Sequence, residues 1–547
     1  MTACRILALV VAVASSAKSL VSASAADWPQ WGGGPYRNLV SRESGLPASF
    51  HPGRKKRDRM GFDPDTTKNV RWMVRLGSEN YSCPVVAGGR VFIGTNDEDL
   101  DDDRFQSTRG GVLMCLDEKT GSLIWRLVVP RLEIDRSKVS EDFDDMNLGV
   151  CSTATVDGDR VYLVTNRCEV VCLDVAGMAD GNAGPFTDEA TFSVPEGAAA
   201  VELGARDADI LWRFDMIRDL PVFPHDAANC SILVVGDHLY VGTANGVYDG
   251  KVVLPTAASL IVLDKRSGTL LARDDGRISA NVLHGQWSSP TLADVKGRTL
   301  VVFGGGDGLC HGFEALPSKA AAGQPATPGP KLLSPAILRE NWSFDCNPPG
   351  YRERGGVKID YWALVRGGPR TLDADGMLVS PNEVIGSPVV MGNRVYVGIG
   401  QDPVHGPGRG ALSCIAIDGK GDITNSGRVW QYTGIGRSLS TVAVADGLVY
   451  AAEYAGEVHC LDAATGRLHW VHDTREEIWS STFVADGKVW IGTRKSLIVL
   501  AAGLEKKVLA DIKLGTPVWS IPCAANKTLF VASQKNLWAV EDQGEMP

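Results

Sequence analysis

Histidine, carboxylate and tryptophan residues recur in this chain at the ends of short apolar segments, where loops would bring them together. Imidazole and carboxylate groups transfer protons or bind metal ions, and indole rings stack on flat ligands. One group precedes the first apolar segment of a repeating unit: His225, Asp226, Asn229, His284, Gln286, Trp287, Glu383, Arg437 and Trp479. A second group follows the second apolar segment: Asp307, Gln401, Asp402, His405, Glu453, Tyr454 and Arg494. Together they could hold a planar cofactor, a metal, a peptide or a sugar.

These residues suggest different chemical roles. Asp307 and Asp402 are the candidate catalytic residues, because a carboxylate can act as a general base. The candidate cofactor-binding residues are His225, Asp226, Asn229, His284, Trp287, Gln401, His405, Arg437, Glu453 and Trp479. A metal-dependent hydrolase using His225, His284 and His405 has only residue type in its favour, so the sequence leaves the metal ligands unknown.

The elements that must position these residues are the strands of a repeat. Its clearest copy runs from Ser440 through the turn Asp446-Gly447 to Leu461-Asp462 and ends at Trp470. Short apolar segments bounded by turn residues indicate strands, and Asp and Gly suit tight hairpins. Eight copies begin at Ser82, Ser152, Cys230, Ser288, Gly386, Ser440, Ser480 and Ser520. A four-stranded unit of roughly 40–45 residues is typical of a propeller blade.

The last repeat is one strand short. It stops after Leu537–Val540, and residues 69–74, ahead of the first repeat, look like the missing strand. We therefore predict an all-β, eight-bladed propeller of four-stranded blades whose ring is closed by an N-terminal strand, which removes the exposed sheet edges. The predicted division is a signal peptide over residues 1–25, an N-terminal extension over 26–68 and the propeller over 69–547.

The N-terminus and the composition predict export. Arg5, an apolar segment over residues 6–14 and the small residues Ala23-Ser24-Ala25 form a secretory signal pattern. No other segment has the roughly 18 consecutive apolar residues that a membrane span needs. A net charge of −10 without a basic face argues against nucleic-acid binding. We expect a periplasmic or secreted monomer. Some of its cysteines could pair there, whereas Cys115, Cys172 and Cys460 share a repeated strand position typical of small buried residues.

The long insertions favour one face of the propeller. Loops that enter an inner strand and loops between the second and third strands emerge on the same face, which we call the loop-rich face. Its insertions span residues 96–110, 130–150, 214–229, 245–258, 345–385 and 401–411, against only 177–209 and 316–340 on the opposite face. Long loops on a rigid scaffold usually carry function, so we expect the site on the loop-rich face.

The repeats resemble the pyrroloquinoline-quinone-like propeller family. Its Ala-x-x-Gly-x-x-x-Trp unit end occurs in this chain at Ala463, Gly466 and Trp470, and the resemblance covers roughly residues 69–541. The predicted mature start, Asp27-Trp28-Pro29-Gln30-Trp31-Gly32-Gly33, resembles the opening of exported propellers from planctomycete-type bacteria. The resemblance implies the fold. For an enzyme of the family, it also implies a quinone beside Ca²⁺ in the axial funnel, with an Asp as base.

Two functions remain open on this basis. The first is a binding or scaffold protein of the cell envelope that takes a protein, peptide or glycan on its loop-rich face. The alternative is a dehydrogenase that uses pyrroloquinoline quinone and Ca²⁺ to oxidise alcohols or sugars. The quinone-dependent alcohol dehydrogenases of the family carry two adjacent cysteines over the cofactor, and this chain has no Cys-Cys pair and no Cys-x-x-Cys-His haem motif. The sequence therefore ranks the binding function first.

Overall fold

Eight four-stranded antiparallel sheets form the blades of a propeller, as the repeat predicted. The computed structural model describes residues 26–56, 61–318, 334–363, 365–368 and 370–544, so the predicted signal peptide, residues 1–25, lies outside the described residues. Asp446 and Gly447 both have positive φ, at 49° and 78°, which is the backbone that a two-residue hairpin turn needs. The inner two strands of a blade are thus joined by the turn chemistry seen in the sequence.

Each blade is built from the axis outward, and its innermost strand is named first. Blade 1 contains Val85–Ala87, Arg90–Asn96, Gly111–Asp117 and Leu123–Val129. Blade 2 contains Thr155–Asp157, Arg160–Val164, Glu169–Asp174 and Ile210–Asp215. Blade 3 contains Leu233–Val235, His238–Gly242, Leu260–Asp264 and Leu270–Arg273, with Ala336–Ile337 added in parallel. Blade 4 contains Thr291–Val295, Arg298–Gly304, Leu309–Glu314 and Glu340–Asp345, with Gly421–Asp422 added in parallel.

The second half of the ring repeats this order. Blade 5 contains Val389–Met391, Arg394–Ile399, Ala411–Ala416 and Arg428–Tyr432. Blade 6 contains Ala443–Ala445, Leu448–Ala452, Glu457–Asp462 and Leu468–Asp473. Blade 7 contains Phe483–Ala485, Lys488–Gly492, Leu497–Ala501 and Val508–Ile512. Blade 8 contains Cys523–Ala525, Thr528–Ala532 and Asn536–Val540 and ends with Val70–Arg75.

Small elements decorate the loops. Two-stranded ribbons pair Arg54–Lys55 with Phe62–Asp63, Val247–Tyr248 with Lys251–Val252, and Glu353–Arg354 with Val357–Lys358. One-turn α-helices lie at Glu189–Phe192, Met216–Asp219 and Arg277–Ala280. Short 3-10 turns lie at Pro64–Thr66, Arg136–Lys138, Gly177–Asp180 and Pro403–His405. No helix of the described residues has the length and apolar character needed to cross a membrane.

Ring closure occurs where the sequence predicted it. The strand Val70–Arg75 pairs antiparallel with Asn536–Val540, placing Trp72 opposite Ala539 and Arg75 opposite Asn536. The first and last parts of the propeller are therefore held in one sheet. This confirms the closure of the ring by an N-terminal strand.

Tryptophans on the outer strands join neighbouring blades. Trp430 of blade 5 donates a hydrogen bond from Nε1 to the carbonyl of Ala463 in blade 6, at 3.1 Å. Its ring covers Gly466, where an added Cβ would lie 2.6 Å from the indole. The equivalent bonds run from Trp72 to Glu118, Trp125 to Val175, Trp212 to Lys265 and Trp470 to Gly503. The Trp of one blade thus packs on the Gly of the next blade, and this contact joins the two blades.

Small hydroxyl residues near the start of six repeats form a belt around the axis. The backbone N–H of Thr153 donates to Ser231 Oγ at 3.3 Å, and that of Ser231 donates to Ser289 Oγ at 2.9 Å. The same bond continues from Ser289 to Ser387, from Ser387 to Thr441 and from Thr441 to Ser481. The belt satisfies buried amides on the inner strands, which would be costly to leave unpaired. It explains why six of the eight repeats have Ser or Thr at their second position.

Residues 26–50, called the axial plug, cross the inner strands on the side opposite the loop-rich face. Inner-edge amides have no neighbouring strand, and backbone carbonyls of the axial plug accept their hydrogen bonds. These bonds run from Val86 to Trp28, Val156 to Pro29, Leu292 to Pro35, Val390 to Tyr36 and Val484 to Leu39. The axial plug therefore closes the central channel at one end.

All eleven described cysteines are buried and free, and no disulfide joins them. Cys115, Cys172 and Cys460 are fully buried in strands, as their repeated position predicted. They act in the fold as small apolar residues.

Candidate functional site

A cavity of about 940 Å³ opens on the loop-rich face. Each blade contributes a residue near the start of its inner strand: Cys83, Thr153, Ser231, Ser289, Ser387, Thr441, Ser481 and Ile521. Because all eight blades take part, the cavity lies on the propeller axis. Trp31 of the axial plug lines it as well, so the cavity is closed below and open above.

Two histidines and an aspartate meet in the wall of this cavity. His225 and Asp226 precede the inner strand of blade 3, and His284 precedes that of blade 4. His225 Nε2 lies 3.4 Å from Asp226 Oδ1, and His284 Nε2 lies 4.0 Å from Asp226 Oδ2. The two imidazole centroids are 4.5 Å apart. His225 and His284 are only 8% and 4% exposed, so the donors of this cluster are fixed by packing.

An aromatic wall surrounds the cluster. The ring of His284 lies 5.3 Å from Trp287 and 4.8 Å from Trp362, between centroids. Tyr361 packs against His405 at 4.4 Å. Trp362 donates a hydrogen bond from Nε1 to the carbonyl of Leu283, at 2.9 Å, which holds the 345–385 insertion against the loop that carries His284. The insertion therefore completes the site.

Burial sets the charges of the wall. It lowers the pKa of His284 to about 2, with His225 and His405 adding to the effect. It also lowers the pKa of His405 to about 4, helped by Arg437. Burial likewise lowers the pKa of His225, partly opposed by the Val247 backbone. These imidazoles are therefore neutral bases at neutral pH.

Burial shifts the pKa values of the cavity carboxylates in the opposite direction, upward. Burial raises the pKa of Asp226 to about 7, with Asp142 adding to it. Burial raises the pKa of Asp402 to about 6, and the charge of Asp226 also contributes. Five acidic side chains are part of the described lining: Glu141, Asp142, Asp226, Asp249 and Asp402. Arg366 is the one Arg or Lys in that lining. Arg366 forms an ion pair with Asp360, so the cavity is acidic.

The structure brings together some of the sequence-predicted site residues. Those that line the cavity are His225, Asp226, Asn229, His284, Trp287, Asp402 and Trp479. His405 lies behind the wall, against Tyr361 and Trp362. Gln401 and Arg437 support the same loop: Gln401 Nε2 donates to the Pro381 carbonyl, and Arg437 Nη1 donates to the carbonyls of His405 and Gly406.

Asp307 and Glu453 lie in separate clusters. Asp307 accepts from His311 Nε2 at 3.2 Å, and His311 Nδ1 lies 2.7 Å from Glu340. Glu453 lies beside Glu457 and His459. Neither residue lines the axial cavity. Both follow the second strand of a blade, which lies one strand spacing farther from the axis than the inner strand.

Tyr361 and Trp362 are site residues that the sequence reasoning did not single out. They lie within the 345–385 insertion, which has no repeat to fix its position. An adjacent Tyr-Trp pair in the longest insertion of the loop-rich face was the only signal in the sequence.

One family model matches three segments of the chain. The model described as outer membrane protein assembly factor BamB matches residues 61–176, 101–310 and 419–543. These segments cover more than half of the chain. The protein belongs to this family, and its fold is that of a pyrroloquinoline-quinone-like propeller, as the repeat indicated. The likeness of its N-terminus to planctomycete-type proteins stays a prediction.

Solved structures with similar folds include a methanol dehydrogenase and BamB. A europium-containing methanol dehydrogenase is similar over 93% of this chain and 89% of its own, with 11% identity and a TM-score of 0.53. BamB from Moraxella catarrhalis is similar over 87% of this chain and 98% of its own, with 12% identity and a TM-score of 0.49. At 11% identity the likeness to the methanol dehydrogenase supports the fold alone. No curated protein matches the sequence.

Proposed function

We propose that this protein is an envelope binding propeller that takes up a positively charged segment of a protein partner in its axial cavity. The observation that carries the proposal is the combination of a blind cavity with an acidic, tryptophan-lined wall. Carboxylates pair with Lys and Arg side chains, and indole faces attract the same cations. A peptide segment carrying such residues therefore matches both parts of the wall.

The mouth of the cavity offers the first contacts. Trp479 is 37% exposed, and its ring lies 6.2 Å from that of Trp519. Asp142 is exposed on the 130–150 loop. An exposed indole on the lining of a cavity that also carries carboxylates is typical of a residue that anchors a partner at an interface. Membership of a family named for outer membrane protein assembly supports a protein as the partner.

The proposal includes the cellular setting. Residues 1–25 act as an export signal, residues 26–68 form an extension whose first part is the axial plug, and residues 69–547 form the propeller. The protein then works as a monomer in the periplasm or outside the cell. Mass spectrometry of the exported protein tests this proposal, since a start near residue 26 is expected and a retained residue 1–25 segment would contradict it.

The alternative function, a quinone-dependent dehydrogenase, meets an electrostatic obstacle. Pyrroloquinoline quinone is a tricarboxylic acid, and the described cavity lining presents carboxylates with one already paired arginine. The histidines of the wall are neutral because burial lowers their pKa values. Cys83 and Cys151 line the cavity but are free, so they provide no disulfide over a ring. These features argue against the quinone as the ligand of the cavity.

Peptide titration tests the proposed function. Two peptides of equal length, one rich in Lys and Arg and one rich in Glu, are titrated into the mature protein while tryptophan fluorescence and heat are recorded. The basic peptide is expected to bind saturably, and more weakly at high salt, because the paired charges are screened. Equal binding of the acidic peptide, or binding of pyrroloquinoline quinone or an oligosaccharide alone, would overturn the proposal.

Matched variants locate the binding. Asp142→Asn and Trp479→Ala are each expected to weaken binding of the basic peptide about 10-fold, which is about 1.4 kcal/mol. Glu505→Gln removes the same charge from an exposed position on the opposite face and is expected to leave binding unchanged. Equal losses in Asp142→Asn and Glu505→Gln would mean that net charge, and not the cavity, attracts the peptide.

A further inference from the structure

The cluster of His225, Asp226 and His284 has the donor atoms of a metal site. One ligand atom from each residue lies within 4.8 Å of the others. Two imidazole nitrogens and one carboxylate form a set that first-row divalent transition ions bind well. The described contacts of the protein do not occupy all of these nitrogen and oxygen atoms.

His225 carries the strongest local signal. It is 8% exposed, and neither of its ring nitrogens makes a hydrogen bond of ordinary geometry. Buried polar atoms normally have partners, because leaving one unpaired costs about 1–3 kcal/mol. Its Nε2 atom faces the Asp226 carboxylate from 3.4 Å. A cation between the two would satisfy both groups.

Tyr361 orients the second histidine for the same purpose. The Tyr361 hydroxyl donates to Glu383 Oε1 at 3.0 Å, and its oxygen lies 3.5 Å from His284 Nδ1. Nδ1 is therefore placed to keep its hydrogen, and Nε2 presents its lone pair. That lone pair points toward Asp226 Oδ2, 4.0 Å away, so two acceptors face each other. Metal-binding histidines commonly have such a partner on their other nitrogen.

The position of the cluster suits a bound ion that remains accessible. The cluster lines the axial cavity, so coordination positions not filled by protein face the open space. Asp142 and Asp402 contribute negative charge near His225. Three protein ligands with an open side is the arrangement of zinc sites that accept a water or a ligand.

We propose that His225, Asp226 and His284 bind one first-row divalent transition-metal ion, such as Zn²⁺, in the wall of the axial cavity. The ion bridges Asp226 and the two Nε2 atoms, and Tyr361 acts as a positioning residue for His284. The site lies in the same cavity as the proposed peptide site but does not rest on the peptide function. Asp142→Asn and Trp479→Ala, which are expected to weaken peptide binding, leave the metal ligands intact.

The test is a titration of the tag-free, chelator-treated mature protein with Co²⁺, followed by visible absorption, with Zn²⁺ as competitor. One equivalent is expected to bind and to produce the d–d bands of a nitrogen- and oxygen-ligated ion. His225→Ala and His284→Ala are each expected to weaken binding at least about 100-fold, since even loss of a supporting contact can cost 10–100-fold. Asp226→Asn preserves volume and gives the same test if an alanine variant fails to fold.

Two further variants distinguish this site from other sources of metal binding. Tyr361→Phe is expected to weaken affinity about 10-fold while the d–d spectrum stays unchanged. His472→Ala, at a half-exposed histidine, is the matched control and is expected to bind as the parent does. Any of three results would overturn the proposal: no stoichiometric Co²⁺ binding, thiolate charge-transfer bands, or binding lost in Glu457→Gln but kept in His225→Ala. The third result would place the ion in the Glu453, Glu457 and His459 cluster.

Discussion

Arg37 of the axial plug donates a hydrogen bond from Nη2 to the carbonyl oxygen of Ser231, at 3.0 Å. The same guanidinium donates to the carbonyls of Pro290 and Trp31, and its side chain is fully buried. One side chain thus links the axial plug to blades 3 and 4. A buried charge of this kind is tolerated because its donors are satisfied by carbonyl oxygens.

Replacing Arg37 is therefore expected to destabilise the whole propeller. Arg37→Ala leaves several buried carbonyls without donors, at about 1 kcal/mol or more each, so we expect the free energy of unfolding to fall by about 3 kcal/mol. Urea denaturation followed by tryptophan fluorescence measures this. Arg42→Ala, at an exposed arginine of the same segment, is the control and should change stability by less than about 0.5 kcal/mol. Equal midpoints for the two variants would show that the axial plug does not hold the ring.

The contact between Trp430 and Gly466 predicts a steric cost that can be isolated. Gly466 has φ of 71°, and an added Cβ would lie 2.6 Å from the indole of Trp430. Gly447 has φ of 78° but open space at the same position. Gly447→Ala should cost about 1 kcal/mol of backbone strain, whereas Gly466→Ala should cost about 2 kcal/mol more from the clash. Denaturation midpoints measure both, and equal losses would contradict the packing role of the repeat glycine.

His311 predicts a pH dependence of stability. Burial alone would lower its pKa, but the charges and hydrogen bonds of Asp307 and Glu340 outweigh this and raise it to about 9. Because the folded pKa lies above the unfolded one of about 6.5, the stabilisation is complete below pH 6.5 and is lost as pH rises to 9. The loss should be about 3 kcal/mol in the parent and absent in His311→Gln. If the free energy of unfolding changed with pH in the same way for the parent and His311→Gln between pH 6.5 and 9, this prediction would be contradicted.

The fold could be predicted because each repeat carries its own turn signals and most repeats add a hydroxyl residue and a tryptophan. The missing strand of blade 8 was visible as an incomplete repeat, and Trp72 lies where that strand needed its tryptophan. The axial plug was not predicted, since the carbonyls that bind the inner-edge amides belong to the backbone and leave no pattern in the side chains.

The site could be predicted only in part. His225, Asp226 and His284 lie in the loops that enter inner strands, so the blade geometry carries them to the axis. Asp307 and Glu453 follow second strands and stay outside the axial cavity, where partners within their own blades hold them. Asp402 also follows a second strand, but a longer loop brings it to the cavity. Distance from the axis, and not residue type, decided which candidates came together.

Hydrogen–deuterium exchange with and without saturating basic peptide tests most directly the claim that the axial cavity binds a partner. Protection is expected in residues 214–229 and 345–385, because these loops carry His225, Asp226, Tyr361 and Trp362 at the cavity. Residues 177–209, on the opposite face, should exchange at the same rate in both samples. Protection confined to residues 177–209, or none in the two cavity loops, would contradict the account.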